Sequence, residues 1–221
     1  MPQITPTFTI EENAAGFEVF SNGKPLKTPQ GSYLIFPNEK SVQKTIKQLK
    51  KDSLESPLYR LMSFSIDLQR EAIEEELLTH FETDLICYFA PEPSDLAEQQ
   101  AQHWRPLIAW AEELGITPIQ TTQSTAPIEQ PETAQKALKQ HLQTHSNQKL
   151  VSAFVGGKIT SSVLIGLALA NGEISAEQAH KIAHIDEMYQ QKRYGHDEEL
   201  SKTLQFNKEN LEQIEEFLKL I

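Results

Sequence analysis

Residues Leu150–Ala170 read LVSAFVGGKITSSVLIGLALA, and this stretch decides between a membrane protein and a soluble fold. About 20 helical residues cross a bilayer core, so length alone leaves both readings open. Lys158 lies near the middle, however, and a central lysine costs about 2.5–3.5 kcal/mol on insertion. The uninterrupted apolar run, Val163–Ala170, is too short to span. We therefore expect one buried helix over Val151–Ala170, without membrane insertion. Small residues would let neighbouring helices pack closely against it: Gly156, Gly157, Gly166 and Ala168.

Most of the chain around this stretch is also predicted to be helical, because apolar residues recur at helical spacing. Asn38 is a good N-cap for the first helix, and Ser175 with Gln178 forms a capping box for a later one. The further predicted helices are Leu58–Leu78, Leu96–Leu114, Glu132–His145 and Ala176–Arg193, followed by one or two amphipathic helices at the C-terminus.

The N-terminal part is predicted to be β-structure. Asn22-Gly23 follows the strand-like segment Phe17–Phe20, and Asn-Gly is the strongest short signal for a β-hairpin. Further extended segments are expected at Thr5–Ile10, Pro25–Pro29 and Ser32–Phe36. The fold class is therefore α+β. We expect an N-terminal β-rich domain with flanking helices over residues 1–90, a linker at Pro91–Ser94, and an all-α helical domain over residues 91–221.

Charge and cysteine content exclude several classes of protein. The chain has 31 acidic and 20 basic residues and a net charge of −11. Binding to nucleic acid phosphates requires a concentrated basic surface, so we expect no nucleic acid partner. Cys87 is the single cysteine, which excludes an intrachain disulfide framework and a Cys-rich zinc module. It lies in an apolar run and is expected to be a buried hydrophobic residue.

One helix stripe has the composition of a metal site. Glu177, His180, His184 and Glu187 follow each other at spacings of three, four and three, which places them on one helix face. Pairs of this kind bind metals in helical bundles, although no second Glu-x-x-His lies in the helical region. A metal-dependent hydrolase that uses His180, His184 and Glu187 is therefore the alternative function.

No complete catalytic set is present. Val155–Ile159, VGGKI, lacks the earlier glycine and the Ser or Thr after the lysine that a phosphate-binding loop requires. The chain also lacks the G-x-S-x-G motif that carries a nucleophilic serine. We therefore expect no enzyme activity and no cofactor.

A segment near residue 190 has the composition of a protein contact. Acids, aromatic rings and an amide lie close together there, and tyrosine combines apolar area with a polar group. The alternative interpretation of this segment is a structural one, in which it is a helix terminus that packs on the final helices. The residues predicted to contact a partner are Asp186, Glu187, Tyr189, Gln190, Tyr194 and Gly195.

Six motifs in collinear order resemble the ATP12 chaperones, which are assembly factors for the F1 sector of ATP synthase. They cover nearly the whole chain from about Phe17. The motifs are Gly23–Pro29, Pro57–Asp67, Thr83–Tyr88, Trp104–Ala111, Ser161–Leu169 and Asp186–Gly195. The chain departs from the family pattern at Arg105, where many relatives have an acid, and at Tyr194, where tryptophan is more usual.

The resemblance implies a function without catalysis. Family members have a β-rich N-terminal domain and a helical C-terminal domain. They bind the free α subunit of F1 and prevent its aggregation until a β subunit replaces the chaperone. An acid in the segment matching Asp186-Glu187 is functionally important in the family. Met1–Ile10 has no features of a secretory signal. We expect a protein of the bacterial cytoplasm, or alternatively the mature form in a mitochondrial matrix, which is monomeric when free.

Overall fold

The computed structural model describes residues 6–92 and 94–221. It is mixed, mostly helical, with a small antiparallel sheet near the N-terminus. The chain forms two compact units. One contains the described residues up to Gln69 together with Glu216–Ile221, and the other contains Arg70–Glu215. The mixed fold class is thus confirmed, whereas a domain boundary between residues 90 and 91 stays a prediction.

The sheet in the first unit is built around one central strand. The strands are β1 (Phe8–Asn13), β2 (Gly16–Ser21), β3 (Lys24–Pro25) and β4 (Ile35–Phe36). All three other strands pair antiparallel with β2. Asn22 and Gly23 connect β2 to β3 with φ of 52° and 77°, the left-handed values that a type I′ turn needs. The predicted Asn-Gly hairpin is therefore confirmed.

The extended segments differ from their predicted bounds. The first strand begins at Phe8 and continues to Asn13, and Thr5 lies outside the described residues. Of the predicted segments Pro25–Pro29 and Ser32–Phe36, only Pro25 and Ile35–Phe36 lie in strands of the sheet, while Lys27 and Tyr33 form an isolated antiparallel bridge. A Cβ on Gly16 would overlap the carbonyl oxygen of Phe36, so glycine permits the close approach of β2 and β4.

Two α-helices follow the sheet along the chain in the first unit. Asn38 begins α1 (Glu39–Asp52), and its side chain accepts a hydrogen bond from the Ser41 amide, as predicted. The Asn38 amide group also donates to the Leu220 carbonyl at 2.7 Å. The second helix, α2, covers Pro57–Ile66.

The predicted single helix over Leu58–Leu78 is wrong. The chain leaves the helix at Asp67 and resumes at Arg70. The Asp67 carboxylate accepts hydrogen bonds from the Thr28 hydroxyl at 2.9 Å and the Gln30 amide at 3.3 Å. These bonds to a distant loop account for the interruption, which no local signal in the helix indicates.

The described residues of the second unit are mostly helical, with a long non-helical connection over residues 114–131 and one isolated bridge between Tyr88 and Thr122. Its helices are α3 (Arg70–Phe81), α4 (Asp95–Glu113), α5 (Glu132–Gln143), α6 (Asn147–Thr160), α7 (Val163–Asn171), α8 (Ala176–Ala183), α9 (Ile185–Tyr194) and α10 (Glu198–Leu218), whose last residues belong to the first unit. The predictions for α4 and α5 are confirmed. The predicted linker includes Pro93, which lies outside the described residues.

The apolar stretch forms two helices, so the predicted single helix over Val151–Ala170 is wrong. Ser161 has a left-handed φ of 53°, and the Ser162 hydroxyl accepts the Ile165 amide to begin α7. A Cβ on Gly166 would overlap the Ala153 carbonyl oxygen and the Gly157 nitrogen. The expected close packing through small residues is confirmed. Among residues 6–92 and 94–221, no helix has the length and apolar character needed to cross a bilayer.

Candidate functional site

The region that carries the predicted contact residues begins at a break between two helices. The capping box of Ser175 and Gln178 begins α8 as predicted. The predicted continuous helix Ala176–Arg193 is wrong, however, because α8 ends at Ala183 and α9 begins at Ile185. His184 connects them with a backbone φ of −113°, and it is only 6% exposed. The buried imidazole therefore lies where the two helices meet.

The predicted histidine stripe does not form a metal centre. The ring nitrogen Nε2 of His180 lies 2.9 Å from the Leu204 carbonyl oxygen, and that of His184 lies 3.4 Å from the Asn207 amide nitrogen. Glu177 is exposed and pairs with Lys181 at 3.0 Å. Over the described part of the chain, no three His, Cys, Asp or Glu side chains converge to hold a metal ion.

Burial, followed by the neighbouring His184, holds the pKa of His180 below its usual range. A neutral His180 with its proton on Nε2 donates to the Leu204 carbonyl. Both imidazoles therefore join this part of the chain to α10.

Asp186 is the first predicted contact residue, and its side chain is hydrogen-bonded to another helix of the same unit. Its Oδ1 accepts a hydrogen bond of 2.6 Å from the side-chain amide of Gln100 on α4. Burial raises the pKa of this carboxyl group, and the hydrogen bond from Gln100 partly offsets the rise. The carboxylate is thus half-buried and fixed in one orientation.

Glu187 has a different environment from its neighbour. Its side chain is 38% exposed, and Oε1 lies 3.5 Å from Nδ1 of His184. The adjacent imidazole holds the pKa of Glu187 below its usual range, although burial opposes this effect. The Asn207 amide group donates toward Nε2 of His184, which favours the tautomer with its proton on Nδ1, facing Glu187.

The rest of the predicted contact segment faces outward. Ile185 is the buried residue of α9, Tyr189 is half-buried, and Gln190 and Gly195 are exposed. Tyr194 is 78% exposed, with the guanidinium group of Arg193 lying 5.8 Å from its ring centre. The structure therefore places the six predicted residues along α9 and the residue that follows it, from a half-buried acidic end to an exposed aromatic end.

Two residues of α4 support α9 and were not predicted as part of the site. Gln100 holds Asp186, and the indole N–H of Trp104 donates to the Ile182 carbonyl at 3.0 Å. Gln100 occupies a buried position on the helix face that carries Ala97, Trp104 and Ala111. A glutamine at an apolar position of a helix was the signal that could have identified it.

The other chemical motifs of the sequence have structural roles. Cys87 is buried, as predicted. Burial raises the pKa of its thiol, so the group stays neutral. Val155–Ile159 lies inside α6, so its amides belong to a helix and not to a phosphate-binding loop.

Comparison with known proteins identifies relatives along nearly the whole chain. A family model described as ATP12 chaperone protein matches residues 6–112. Mitochondrial protein atp12 from Schizosaccharomyces pombe is 23% identical over 195 residues, which is 79% of this chain and 67% of the relative. The crystal structure of Atp12 from Paracoccus denitrificans shares 28% identity with a TM-score of 0.86, covering 97% of this chain and 95% of that chain. An aspartate-to-lysine mutant of P. denitrificans Atp12p has a TM-score of 0.87 at 27% identity, with the same coverage.

The order of motifs, the fold and these relatives agree. The resemblance to the ATP12 chaperones found in the sequence is confirmed: the family model matches residues 6–112, and the fold is similar to that of Atp12 from P. denitrificans over 97% of the chain.

Proposed function

We propose that this chain binds the unassembled α subunit of F1 ATP synthase and prevents its aggregation until a β subunit takes its place. The observation that carries the proposal is the similarity to Atp12 of P. denitrificans over 97% of the chain. An unassembled ring subunit exposes a large apolar interface, which favours aggregation. A partner with a net charge of −11 would cover that interface and keep the complex dispersed through charge repulsion.

We further propose that α9 supplies the contact surface. A contact surface needs accessible side chains that combine apolar area with polar groups. Met188 and Tyr194 supply exposed apolar area on this helix, and Asp186 and Glu187 supply charge. The contact residues in this proposal are Asp186, Glu187, Tyr189, Gln190, Tyr194 and Gly195.

The proposal is tested by co-expression of the chain with an F1 α subunit. We expect the two to be recovered together in a pull-down through a tag on either chain. In a turbidity assay, stoichiometric chaperone should suppress aggregation of α during dilution from denaturant, whereas an equal mass of an unrelated acidic protein should not. Absence of the complex together with unchanged turbidity would contradict the proposal.

The remaining parts of the proposal concern the state of the chain. We propose that it is monomeric when free, acts without a cofactor and works in the bacterial cytoplasm, with a mitochondrial matrix as the alternative. Sedimentation of the free chain tests whether it is monomeric.

The alternative function, a metal-dependent hydrolase using His180, His184 and Glu187, is not favoured, because the two imidazoles hydrogen-bond to groups on α10.

A further inference from the structure

Gln100 is a polar residue in a place where polar residues are costly. It is 1% exposed, on the apolar face of α4. Both ends of its amide group are used: Oε1 accepts from the Ala90 amide and Nε2 donates to Asp186, each at 2.6 Å. A buried amide without such partners would destabilise the fold, so these two bonds account for a glutamine at this position.

Asp186 is left with one oxygen in use and one available. Oδ1 accepts the hydrogen bond from Gln100, while Oδ2 makes no hydrogen bond or ion pair with residues 6–92 or 94–221. The carboxyl group is half-buried, and loss of water around it raises its pKa. A partly desolvated carboxylate gains more from a cation than a fully hydrated one does, because water screens the pair less.

We propose that Gln100 is a positioning residue that directs Oδ2 of Asp186 toward a guanidinium or ammonium group of the client. This inference rests on the proposed function, because the client is taken to be the F1 α subunit. Gln100 itself does not touch the client. Its hydrogen bond fixes the carboxylate before binding, so less rotamer freedom is lost when the cation arrives.

An exchange of the two side chains separates positioning from packing. Gln100→Glu keeps an acceptor for the Ala90 amide but places a second carboxylate against Asp186. Asp186→Asn removes the charge and keeps the shape. The double variant Q100E/D186N restores an N–H···O bond between the two positions and keeps the net charge, but its carboxylate lies on the buried side. Gln99→Glu is the matched control, since Gln99 is an exposed neighbour whose side-chain amide donates to the Asp95 carbonyl within the same helix.

The affinities of these four variants for the α subunit should fall into two groups. We expect Gln100→Glu, Asp186→Asn and the exchange variant each to lose at least about tenfold in affinity, because the available carboxylate oxygen is misplaced or absent. Gln99→Glu should bind as the wild type does. The exchange variant should also recover most of the melting temperature that Gln100→Glu loses. Wild-type affinity in the exchange variant would overturn the inference.

A measurement without a client tests positioning by itself. We expect the side-chain carboxyl carbon of Asp186, followed by NMR, to titrate at a higher pKa in Gln100→Leu than in the wild type, because the hydrogen bond that favours the charged form is lost. An unchanged titration would overturn the positioning role of Gln100. The Asp186 pKa could differ between the wild type and Gln100→Leu as expected while the wild type does not bind the α subunit. In that case the proposed function fails and the positioning role of Gln100 remains.

Discussion

Asp84 and Asp186 are two aspartates of the same compact unit with opposite arrangements. Asp84 is fully buried, and its two oxygens accept backbone hydrogen bonds from Ile86 at 3.2 Å and Leu164 at 3.0 Å. Asp186 is half-buried, and one oxygen accepts a hydrogen bond from Gln100. A carboxylate whose bonding capacity is filled from inside holds elements together, whereas one with an unused oxygen can still receive a partner.

The helix that Asp84 contacts, α7, and the helix that carries Asp186, α9, also differ in how many of their residues are buried. Every residue from Val163 to Ala170 on α7 is buried, while Ile185 is the buried residue of α9. Substitutions in the α6–α7 pair should therefore change the free energy of unfolding. Substitutions on α9 should change binding and leave folding nearly intact. The following predictions test this division, beginning with the largest expected effect.

Gly166→Ala should have the greatest effect on stability. The new methyl group would overlap backbone atoms of Ala153 and Gly157, which cannot move aside as a flexible side chain would. We expect the free energy of unfolding to fall by about 3 kcal/mol or more, measured by urea unfolding. Gly157→Ala is the matched control, because its nearest neighbours would be 3.4–3.5 Å away, and it should change stability by less than about 1 kcal/mol. Equal losses in the two variants would contradict the close packing described for α6 and α7.

Asp84 should make stability depend on pH. Burial raises its pKa from 3.8 to about 6, and hydrogen bonds, the largest from the Ser162 hydroxyl, offset only part of the rise. The folded state therefore keeps its proton where the unfolded state has lost it. The stabilisation that protonated Asp84 gives to the folded state is fully present below about pH 4 and is lost as the pH rises through 6. The free energy of unfolding should change by about 3 kcal/mol over this range.

The measurement is the free energy of unfolding between pH 4 and 7 for the wild type and Asp84→Asn. Because the variant lacks this ionisation, the difference between the two curves should change across that range. Parallel curves would show that Asp84 does not titrate in this way.

Local signals account for the parts of the fold that the sequence predicts correctly. The Asn22-Gly23 turn, the N-cap Asn38 and the capping box of Ser175 and Gln178 each depend on conformations and bonds within a few residues. Helical spacing of apolar residues likewise predicts α4 and α5. The resemblance to the ATP12 chaperones adds the order of the elements along the chain.

The breaks inside three predicted helices depend on distant contacts. Asp67 bonds to the loop at Thr28, the Ser161 carbonyl accepts the Leu85 amide at 3.0 Å, and His184 turns toward Asn207. Periodicity continues through each break, so it cannot indicate them. The bond between Gln100 and Asp186 was missed for the same reason, because the two residues lie 86 positions apart in the chain. The sequence identified the segment of the candidate site, and tertiary contacts add the residues that hold it.

Glu187→Lys tests the acidic end of α9. We expect affinity for the F1 α subunit to fall by about tenfold, because reversal of one interfacial charge removes an attraction and adds a repulsion. The melting temperature should change little, since the Glu187 side chain is 38% exposed. Glu113→Lys, at the exposed end of α4, makes the same charge change outside the proposed surface and should bind normally. If Glu187→Lys unfolds the chain, the residue is structural and this part of the site is wrong.

The smallest effect is expected at the exposed end of the same helix. Tyr194 is 78% exposed and Phe206, on α10, is 65% exposed, so truncating either ring should change stability by less than about 0.5 kcal/mol. Tyr194 belongs to the proposed contact surface and Phe206 does not. Tyr194→Ala should therefore weaken binding to the α subunit by about threefold to tenfold, whereas Phe206→Ala should leave it unchanged. Titration of labelled α subunit with each variant measures the difference. The reverse order of affinities would move the contact surface from α9 to α10, and two equal losses would extend it across both helices.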